Sequence, residues 1–149
     1  MTAGFLLDTS VLSLLAPGRP TLDDTFSGWL REHEDRLYIC AVTVAEIEQG
    51  IQKLHRTGSV ERAHKFALWL DALLEHGGER VLPFDTKSGR LAGALSDRAL
   101  AQGRHPGFAD IAIAATADAY GLLLLTRNGK HFAPLGIPFA DPLEGLPRM

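Results

Sequence analysis

The sequence predicts an α/β fold, a three-layer α/β/α sandwich around a central parallel sheet of four to five strands. Short, continuously apolar runs at residues 5–7 and 122–125 are typical of strands buried on both faces. Helical stretches alternate with such runs along the chain, which is the order expected of a parallel sheet covered by helices. The chain shows no internal repeat, low-complexity tract or linker, so we expect one domain over residues 1–149.

Composition narrows the class of protein. A hydrophobic fraction of 46% with 22% charged residues is ordinary for a globular chain. The net charge of −3 provides no overall positive field for nucleic acid, although a local basic rim can suffice. The single Cys40 cannot form an intrachain disulfide and is expected in the core. Without a signal-peptide pattern or an apolar stretch near the ~20 residues of a membrane span, we expect a soluble, cytoplasmic protein with no membrane partner.

The first third of the chain predicts two strands and three helical segments. After the first strand, a helical turn at 10–15 leads to a loop at 17–20, which is rich in Pro and Gly. Thr21, with Asp24 three residues later, predicts a helix that runs to about Glu34. Residues 36–41 are rich in β-formers and predict the second strand. Residues 43–46 have the capping-box pattern, which predicts a helix start there and a helix that continues to about His55.

A long helix is predicted at residues 60–76, ended by Gly77 and Gly78. Its apolar side chains fall on more than one face: Phe66, Leu68, Trp69, Leu70, Leu73 and Leu74. One interpretation is a helix at the centre of the core. The other is a helix that contributes part of its surface to a protein interface.

The last part of the chain continues the alternation. Residues 79–84 predict a third strand, which Pro83 restricts to an end or edge position. Asp85 is expected to cap a helix at 86–102, and a loop at 103–107 precedes a helix of small residues that begins at Phe108 and ends before Gly121. The fourth strand follows at 122–125, and a short fifth strand is predicted at 136–139.

Four polar side chains are predicted at the carboxyl edge of this sheet: Asp8, Glu46, Asp110 and Asn128. In open α/β sheets ligands bind at that edge. Three acids within ~4 Å would repel by about 4 kcal/mol per pair at an effective dielectric of 20, so the cluster requires a cation, protonation or water. An all-oxygen set favours Mg²⁺ or Mn²⁺ over zinc.

Each of these residues also has a purely structural interpretation. Asp8 could cap the helical turn that follows it, and Glu46 could be the third residue of the capping box. Asp110 could simply favour the helix macrodipole, and Asn128 with Gly129 is a standard tight-turn pair. Only their joint placement favours a functional site.

The chain resembles the PIN-domain proteins, specifically the VapC/FitB-like toxins of bacterial toxin–antitoxin pairs. The similarity lies in five segments that occur in the family's order: residues 6–13 around Asp8, 41–50 around Glu46, 81–85, 109–117 around Asp110 and 124–132 around Asn128. It extends from Leu6 to about Pro142. This resemblance implies the three-layer fold and a Mg²⁺- or Mn²⁺-dependent endoribonuclease that hydrolyses RNA phosphodiester bonds through a metal-activated water.

The resemblance also suggests what each residue does. Asp8, Glu46 and Asp110 fall on the acidic positions, with Asp8 and Asp110 expected to coordinate the metal directly and Glu46 or Asp110 expected to take the proton from water. Asn128 falls on a position that is often Asp, which makes a second tightly held metal less favourable. Supporting hydroxyls are expected from Thr9 and Thr126. Candidates for contacts with RNA phosphates are Arg127, Lys130 and His131, with Arg98 and Arg104 in addition.

The resemblance implies a homodimer and inhibition by a small cognate antitoxin whose tail follows a groove to the acidic site. One alternative is a catalytically weak PIN-fold binding module that acts mainly in a complex with an antitoxin, which the neutral Asn128 favours. Another is a Mg²⁺-dependent phosphohydrolase with Asp8 as the nucleophile.

Overall fold

The computed structural model describes residues 3–148, and its central sheet has five strands, all parallel. In spatial order the sheet is β3-β2-β1-β4-β5. The strands are β1 (Phe5–Leu7), β2 (Leu37–Cys40), β3 (Val81–Leu82), β4 (Leu123–Leu125) and β5 (Phe139–Ala140). The predicted α/β sandwich with a parallel sheet is therefore confirmed.

Helices follow each of the first four strands. They are α1 (Thr9–Leu12), α2 (Asp24–Glu32), α3 (Ala41–Arg56), α4 (Val60–Gly77), α5 (Thr86–Ala101), α6 (Phe108–Ala119) and α7 (Gly129–Phe132). Short 3₁₀ turns complete the connections at Ser13–Leu15, Glu34–Arg36, Gly78–Arg80 and Ala133–Leu135. Within the described range, no helix combines the length and apolar character needed to cross a membrane.

Strand β1 is buried on both faces, because its successive side chains point to opposite layers and helices cover both sides of it. Leu6 packs with α5 and α6 on one side, whereas Phe5 and Leu7 pack with α2 on the other. The fully buried Cys40 belongs to the α5–α6 side, as expected for a core thiol. This alternation explains why the apolar runs of β1 and β4 could be identified as strands from sequence.

Several element boundaries differ from the sequence predictions. Helix α2 begins at Asp24 and is capped by Asp23, which accepts from the Phe26 N–H at 2.7 Å, so the predicted start at Thr21 was wrong. Strand β3 has only two residues because Pro83 follows it, and it lies at the sheet edge as that proline requires. Strand β5 is displaced toward the carboxyl terminus, to Phe139–Ala140.

The capping-box prediction at residues 43–46 was also wrong. Helix α3 starts directly after β2, with the Cys40 sulfur accepting from the Val42 N–H at 3.4 Å. Thr43 is therefore an interior helical residue and is fully buried. Glu46 lies in the second turn, where no unpaired N–H is left for it to cap.

Helix α4 matches its prediction closely, but its apolar side chains face inward. Leu70 is buried, and Phe66, Trp69, Leu73 and Leu74 are half-buried against α3 and the core beneath it. Val60 and Leu68 are exceptions, with 52% and 56% of their surfaces exposed. The core interpretation of this helix therefore accounts for most of its apolar surface.

Helix α5 provides a pH-dependent test of the fold. Asp85 caps it by accepting from the Ser88 N–H and hydroxyl at 3.0 Å each, and the Tyr120 hydroxyl donates to it at 2.9 Å. These bonds lower the pKa of Asp85, the Ser88 N–H contributing most. Because the pKa is lower in the folded state, the stabilisation is present above the unfolded pKa near 3.9 and is lost as the pH falls through the folded pKa.

We therefore expect Asp85→Ala to lower the thermal midpoint at pH 7 and to have a much smaller effect at pH 3. Asp97→Ala is the matched control, because Asp97 is an exposed residue in the interior of the same helix. Thermal melts followed by circular dichroism at both pH values measure the difference. An equal loss at pH 3 and pH 7 would show that the ionised cap is not the stabilising group.

Candidate active site

The site lies where the strand order reverses. The chain runs outward from the central β1 to β2 and β3, then returns to place β4 on the other side of β1. The connections on the two sides of such a switch point diverge, which opens a crevice at the carboxyl ends of the strands. Asp8 follows β1 directly, and residues 126–128 follow β4.

Asp8 is a buried carboxylate with both oxygens hydrogen-bonded. Only 3% of its surface is exposed. Its Oδ1 accepts from the Val11 N–H at 2.9 Å and from the Ser10 hydroxyl at 2.6 Å, and its Oδ2 accepts from the Thr126 hydroxyl at 2.5 Å. Asp8 is thus the cap of α1, as the structural interpretation proposed, and is also held rigidly at the crevice.

The segment after β4 is tied to the segment after β1. The fully buried Thr126 accepts from the Asn128 N–H at 2.9 Å, while its hydroxyl donates to Asp8. The Arg127 N–H donates to the Ser10 hydroxyl at 3.0 Å. Thr126 was predicted as a supporting residue, whereas Ser10 was not. The sequence feature that could have identified Ser10 is the position of its hydroxyl two residues after Asp8. At this spacing, polar side chains form local hydrogen bonds.

Asp110 approaches from the first turn of α6. Burial raises its pKa, and the negative charge of Asp8 raises it further, while the nearby His131 acts in the opposite direction. The His131 Nδ1 lies 3.3 Å from the Asp110 Oδ2. The negative charge of Asp8 therefore acts on Asp110, and a site shared by the two carboxylates stays a prediction.

Glu46 is hydrogen-bonded to the residue that follows Asp8. It is exposed, and its Oε1 accepts from the Thr9 hydroxyl at 2.5 Å. The Thr9 oxygen also lies 3.3 Å from the Thr43 hydroxyl. Thr9 follows Asp8 in the chain, so this hydroxyl links Glu46 to the end of β1.

The four predicted positions are thus assembled unequally. The charge of Asp8 acts on Asp110, Glu46 accepts a hydrogen bond from Thr9, and Asn128 is exposed with its backbone N–H bonded to Thr126. Among residues 3–148, no group of three His, Cys, Asp or Glu side chains is placed to hold a metal ion together. The predicted convergence of three acids within ~4 Å is therefore not present in this arrangement.

Two cavities flank the acids. One, of about 280 Å³, lies beside Asp110 and is lined by basic side chains, Arg104, His105, Lys130 and His131 among them. The other, of about 410 Å³, begins at Thr9 and Glu46 and continues between α3 and α4, past Ile47, Phe66 and Trp69. Arg98 lines neither cavity: its guanidinium donates to the Leu135 carbonyl at 2.8 Å, so its proposed contact with RNA phosphate is not supported.

The sequence matches the family described as PIN domain over residues 5–136. The chain belongs to the PIN-domain family. It is 34% identical to the VapC ribonuclease Y4jK of Sinorhizobium fredii over 93% of this chain and 97% of that protein. It is 33% identical to the toxin FitB of Neisseria gonorrhoeae over 92% and 96% of the two chains. These relatives place it among the VapC/FitB-like members.

Solved structures agree with this assignment. The crystal structure of FitAcB from Neisseria gonorrhoeae superposes with a TM-score of 0.81 at 28% identity, covering 95% of this chain and 99% of that one. A VapBC-5 structure from Mycobacterium tuberculosis, a member of the VapBC family of toxin–antitoxin systems, superposes with a TM-score of 0.66 at 25% identity, covering 90% and 91%.

Proposed function

We propose that this protein is a Mg²⁺- or Mn²⁺-dependent endoribonuclease and the toxin of a toxin–antitoxin pair, formed by a single PIN domain over residues 1–149. The observation that carries the proposal is the buried Asp8, held by three hydrogen bonds at the switch point of the sheet, whose negative charge contributes to the raised pKa of Asp110. The similarity to a VapC ribonuclease and to a FitB toxin supports the choice of RNA as substrate.

The residues present fit a hard divalent ion. The donor set is all oxygen, and PIN-domain nucleases generally depend on a divalent metal. Asp8 and Asp110 would hold the ion, and two like charges in a half-buried crevice favour a cation between them. Mg²⁺ usually keeps several waters and binds through one or two carboxylates, so a third close carboxylate is not required. When bound, such an ion supplies charge stabilisation for the attacked phosphate and lowers the pKa of water.

Side chains of this protein would perform the proton transfer and hold the acidic residues in position. Thr9 occupies the Glu46 Oε1, which leaves the Oε2 free to accept the proton of the attacking water. The water oxygen bonds to phosphorus, the bond from phosphorus to the 3′ oxygen breaks, and the 3′ oxygen takes up a proton. The products are a 5′-phosphate and a 3′-hydroxyl. Thr126 and Ser10 hold the Asp8 carboxylate in one orientation, because each donates a hydrogen bond to it.

The proposal is tested with partner-free protein and a panel of single-stranded and hairpin RNAs. We expect cleavage with Mg²⁺ or Mn²⁺, none with EDTA, and 5′-phosphate ends on the products. Cleavage that continues in EDTA would contradict the metal-dependent mechanism. Absence of cleavage on every RNA with either metal would favour the alternative function described next.

A catalytically weak binding module is the second candidate. It is favoured by the neutral Asn128 and by the finding that, among residues 3–148, no group of three His, Cys, Asp or Glu side chains is placed to hold a metal ion. The phosphohydrolase alternative has less support. The relatives of this chain are a VapC ribonuclease and the toxin FitB, and neither name indicates a phosphohydrolase.

The proposed antitoxin would occupy the groove between α3 and α4. Its apolar wall of Ile47, Phe66 and Trp69 suits a hydrophobic peptide. Among the charged residues of its lining, Glu46 can pair with a basic residue, and Arg19, Lys53 and Arg62 can pair with acidic ones. Gly50 lines the same groove, is exposed and has free space where a Cβ would be added. A large side chain there would therefore fill the groove without distorting α3.

We expect Gly50→Trp to weaken antitoxin binding at least about 10-fold, a modest loss for blocking one apolar pocket. RNA cleavage by the free toxin should stay unchanged. Gly93→Trp is the control, because Gly93 is equally open but lies on α5 away from the groove. Calorimetry with the antitoxin encoded beside the toxin gene measures the affinity. Full-strength binding to Gly50→Trp would show that the antitoxin uses another surface.

The homodimer remains a prediction. Its motive was the apolar surface of α4, and most of that surface packs inside the protein. Light scattering of the isolated protein at micromolar concentration tests it, and a monomeric mass would contradict it.

A further inference from the structure

We propose that a short single-stranded RNA segment lies along the carboxyl edge of the sheet, with a phosphate in the basic cavity beside Asp110 and a base stacked on Phe108. This inference rests on the proposed nuclease function and assigns the groups that bind the substrate on either side of the acids. The residues concerned come from the loop before α6, the start of α6 and the segment after β4.

The basic cavity has unused positive charge. Arg104 and Lys130 are exposed, and within residues 3–148 no carboxylate lies at ion-pair distance from either of them. His105 and His131 complete the basic lining, and Asp110 is the one acid among the lining residues. In a chain with a net charge of −3, this is a local concentration of cations next to the proposed reaction site. Such a position suits a phosphate of the polynucleotide backbone.

Phe108 is an aromatic side chain with no core position. Sixty-seven per cent of its surface is exposed, the highest value among the exposed large hydrophobic residues of the described chain. Its ring meets the Phe84 ring edge-to-face at 5.9 Å, which orients it while leaving most of it in solvent. Bases of single-stranded nucleic acid stack on rings presented in this way.

The order of the groups along the sheet edge fits one extended strand. His131 and Lys130 follow β4, Asp8 follows β1, and Phe84 follows β3 at the far edge. Three inter-strand steps separate β4 from β3, or about 14 Å at the usual spacing. Asp110 lines the cavity and pairs with His131 after β4, and Phe108, two residues before it, meets Phe84 after β3, so the cavity and the ring adjoin each other at the start of α6.

A second copy of this chain is the competing occupant for the two Phe rings. Nucleic acid is favoured because Phe108 directly follows the loop that lines the basic cavity, and because no carboxylate within residues 3–148 pairs with Arg104 or Lys130. A dimer contact would account for Phe108 but would leave Arg104 and Lys130 without a partner.

Binding of RNA is measured separately from cleavage by using an inactive Asp8→Asn background with Mg²⁺ and a labelled single-stranded oligonucleotide. In fluorescence anisotropy, Phe108→Ala should raise the Kd at least about 5-fold, the scale of one stacked base, and Phe108→Trp should restore it. Leu100→Ala is the control, because Leu100 is also an exposed apolar residue but lies at the end of α5. An oligonucleotide with abasic sites should bind Phe108→Ala and the parent equally.

The phosphate cavity has its own measurement. Lys130→Ala or Arg104→Ala should weaken binding and reduce the salt dependence of log Kd by about one unit of slope each. Lys65→Ala should not, because Lys65 lies on α4 and is paired with Glu61 at 3.8 Å.

Unchanged affinity in Phe108→Ala, or an unchanged salt slope in both cavity variants, would overturn the inference even if the wild-type protein cleaves RNA. So would a fall in molecular mass of Phe108→Ala by light scattering, which would assign the ring to self-association. If the Phe108, Lys130 and Arg104 variants weaken RNA binding as expected but the wild-type protein cleaves no RNA, the nuclease function is refuted and the RNA-binding surface is supported.

Discussion

Asp8→Asn is expected to reduce RNA cleavage by about 100-fold or more, the scale of losing one electrostatic contact to a developing charge. The substitution keeps the size of the side chain and an oxygen for the Val11 N–H, so α1 stays capped. The negative charge that would hold the divalent ion is lost. A gel-based cleavage assay under single-turnover conditions measures the rate.

The matched control for this variant is Asp23→Asn. Asp23 caps α2 with the same geometry, accepting from the N–H three residues later, but lies far from the crevice in sequence and on an exposed turn. We expect this control to keep full activity. If Asp8→Asn retains the wild-type rate while both variants melt normally, Asp8 does not take part in the reaction.

Thr126→Val is expected to lower the free energy of unfolding by about 1.5–3 kcal/mol, the range for a hydrogen bond to a charged group. The substitution is nearly isosteric in a fully buried position, and it removes both the donor to Asp8 and the acceptor for the Asn128 N–H. Cleavage should fall as well, because Asp8 loses one of the groups that orient it. Urea denaturation measures the loss of stability.

Thr116→Val is the control for this variant. Thr116 is also fully buried, but its hydroxyl donates to the Ala112 carbonyl of its own helix, so we expect a loss of about 1 kcal/mol or less. In an Asp8→Asn background the cost of Thr126→Val should shrink, since the charged acceptor is gone. Equal costs in both backgrounds would show that the Thr126–Asp8 bond does not stabilise the site.

The sequence predicts the fold well where local chemistry and tertiary packing agree. The strands β1 and β4 can be identified from their apolar runs alone. Helix α4 was predicted at residues 60–76 and is observed at Val60–Gly77, because Gly77 and Gly78 end the helix. The N-cap of α5 at Asp85 was predicted correctly because Asp is a favoured residue at that position. At Thr43 the local sequence pattern and the tertiary packing disagree. The capping-box pattern predicts a helix start there, but α3 begins directly after β2 and Thr43 is buried inside the helix.

The site was only partly predictable. The positions of Asp8 and Asp110 follow from strand ends and chain order, which sequence patterns reveal. Two contacts of the site could not be predicted from the sequence. The hydrogen bond from Thr126 to Asp8 joins residues 118 positions apart. The contact between His131 and Asp110 depends on the direction of α7 relative to β4. The placement of Glu46 on Thr9 depended on the true start of α3, which the capping-box pattern misplaced.

Calorimetric titration of Mn²⁺ into the partner-free protein tests the central claim, a divalent ion shared by Asp8 and Asp110, without reference to any RNA. We predict one site in the wild-type protein and a loss of affinity of at least about 10-fold in both Asp8→Asn and Asp110→Asn, with Asp23→Asn unchanged. Wild-type affinity in either of the two crevice variants would contradict a shared metal site at the switch point of the sheet.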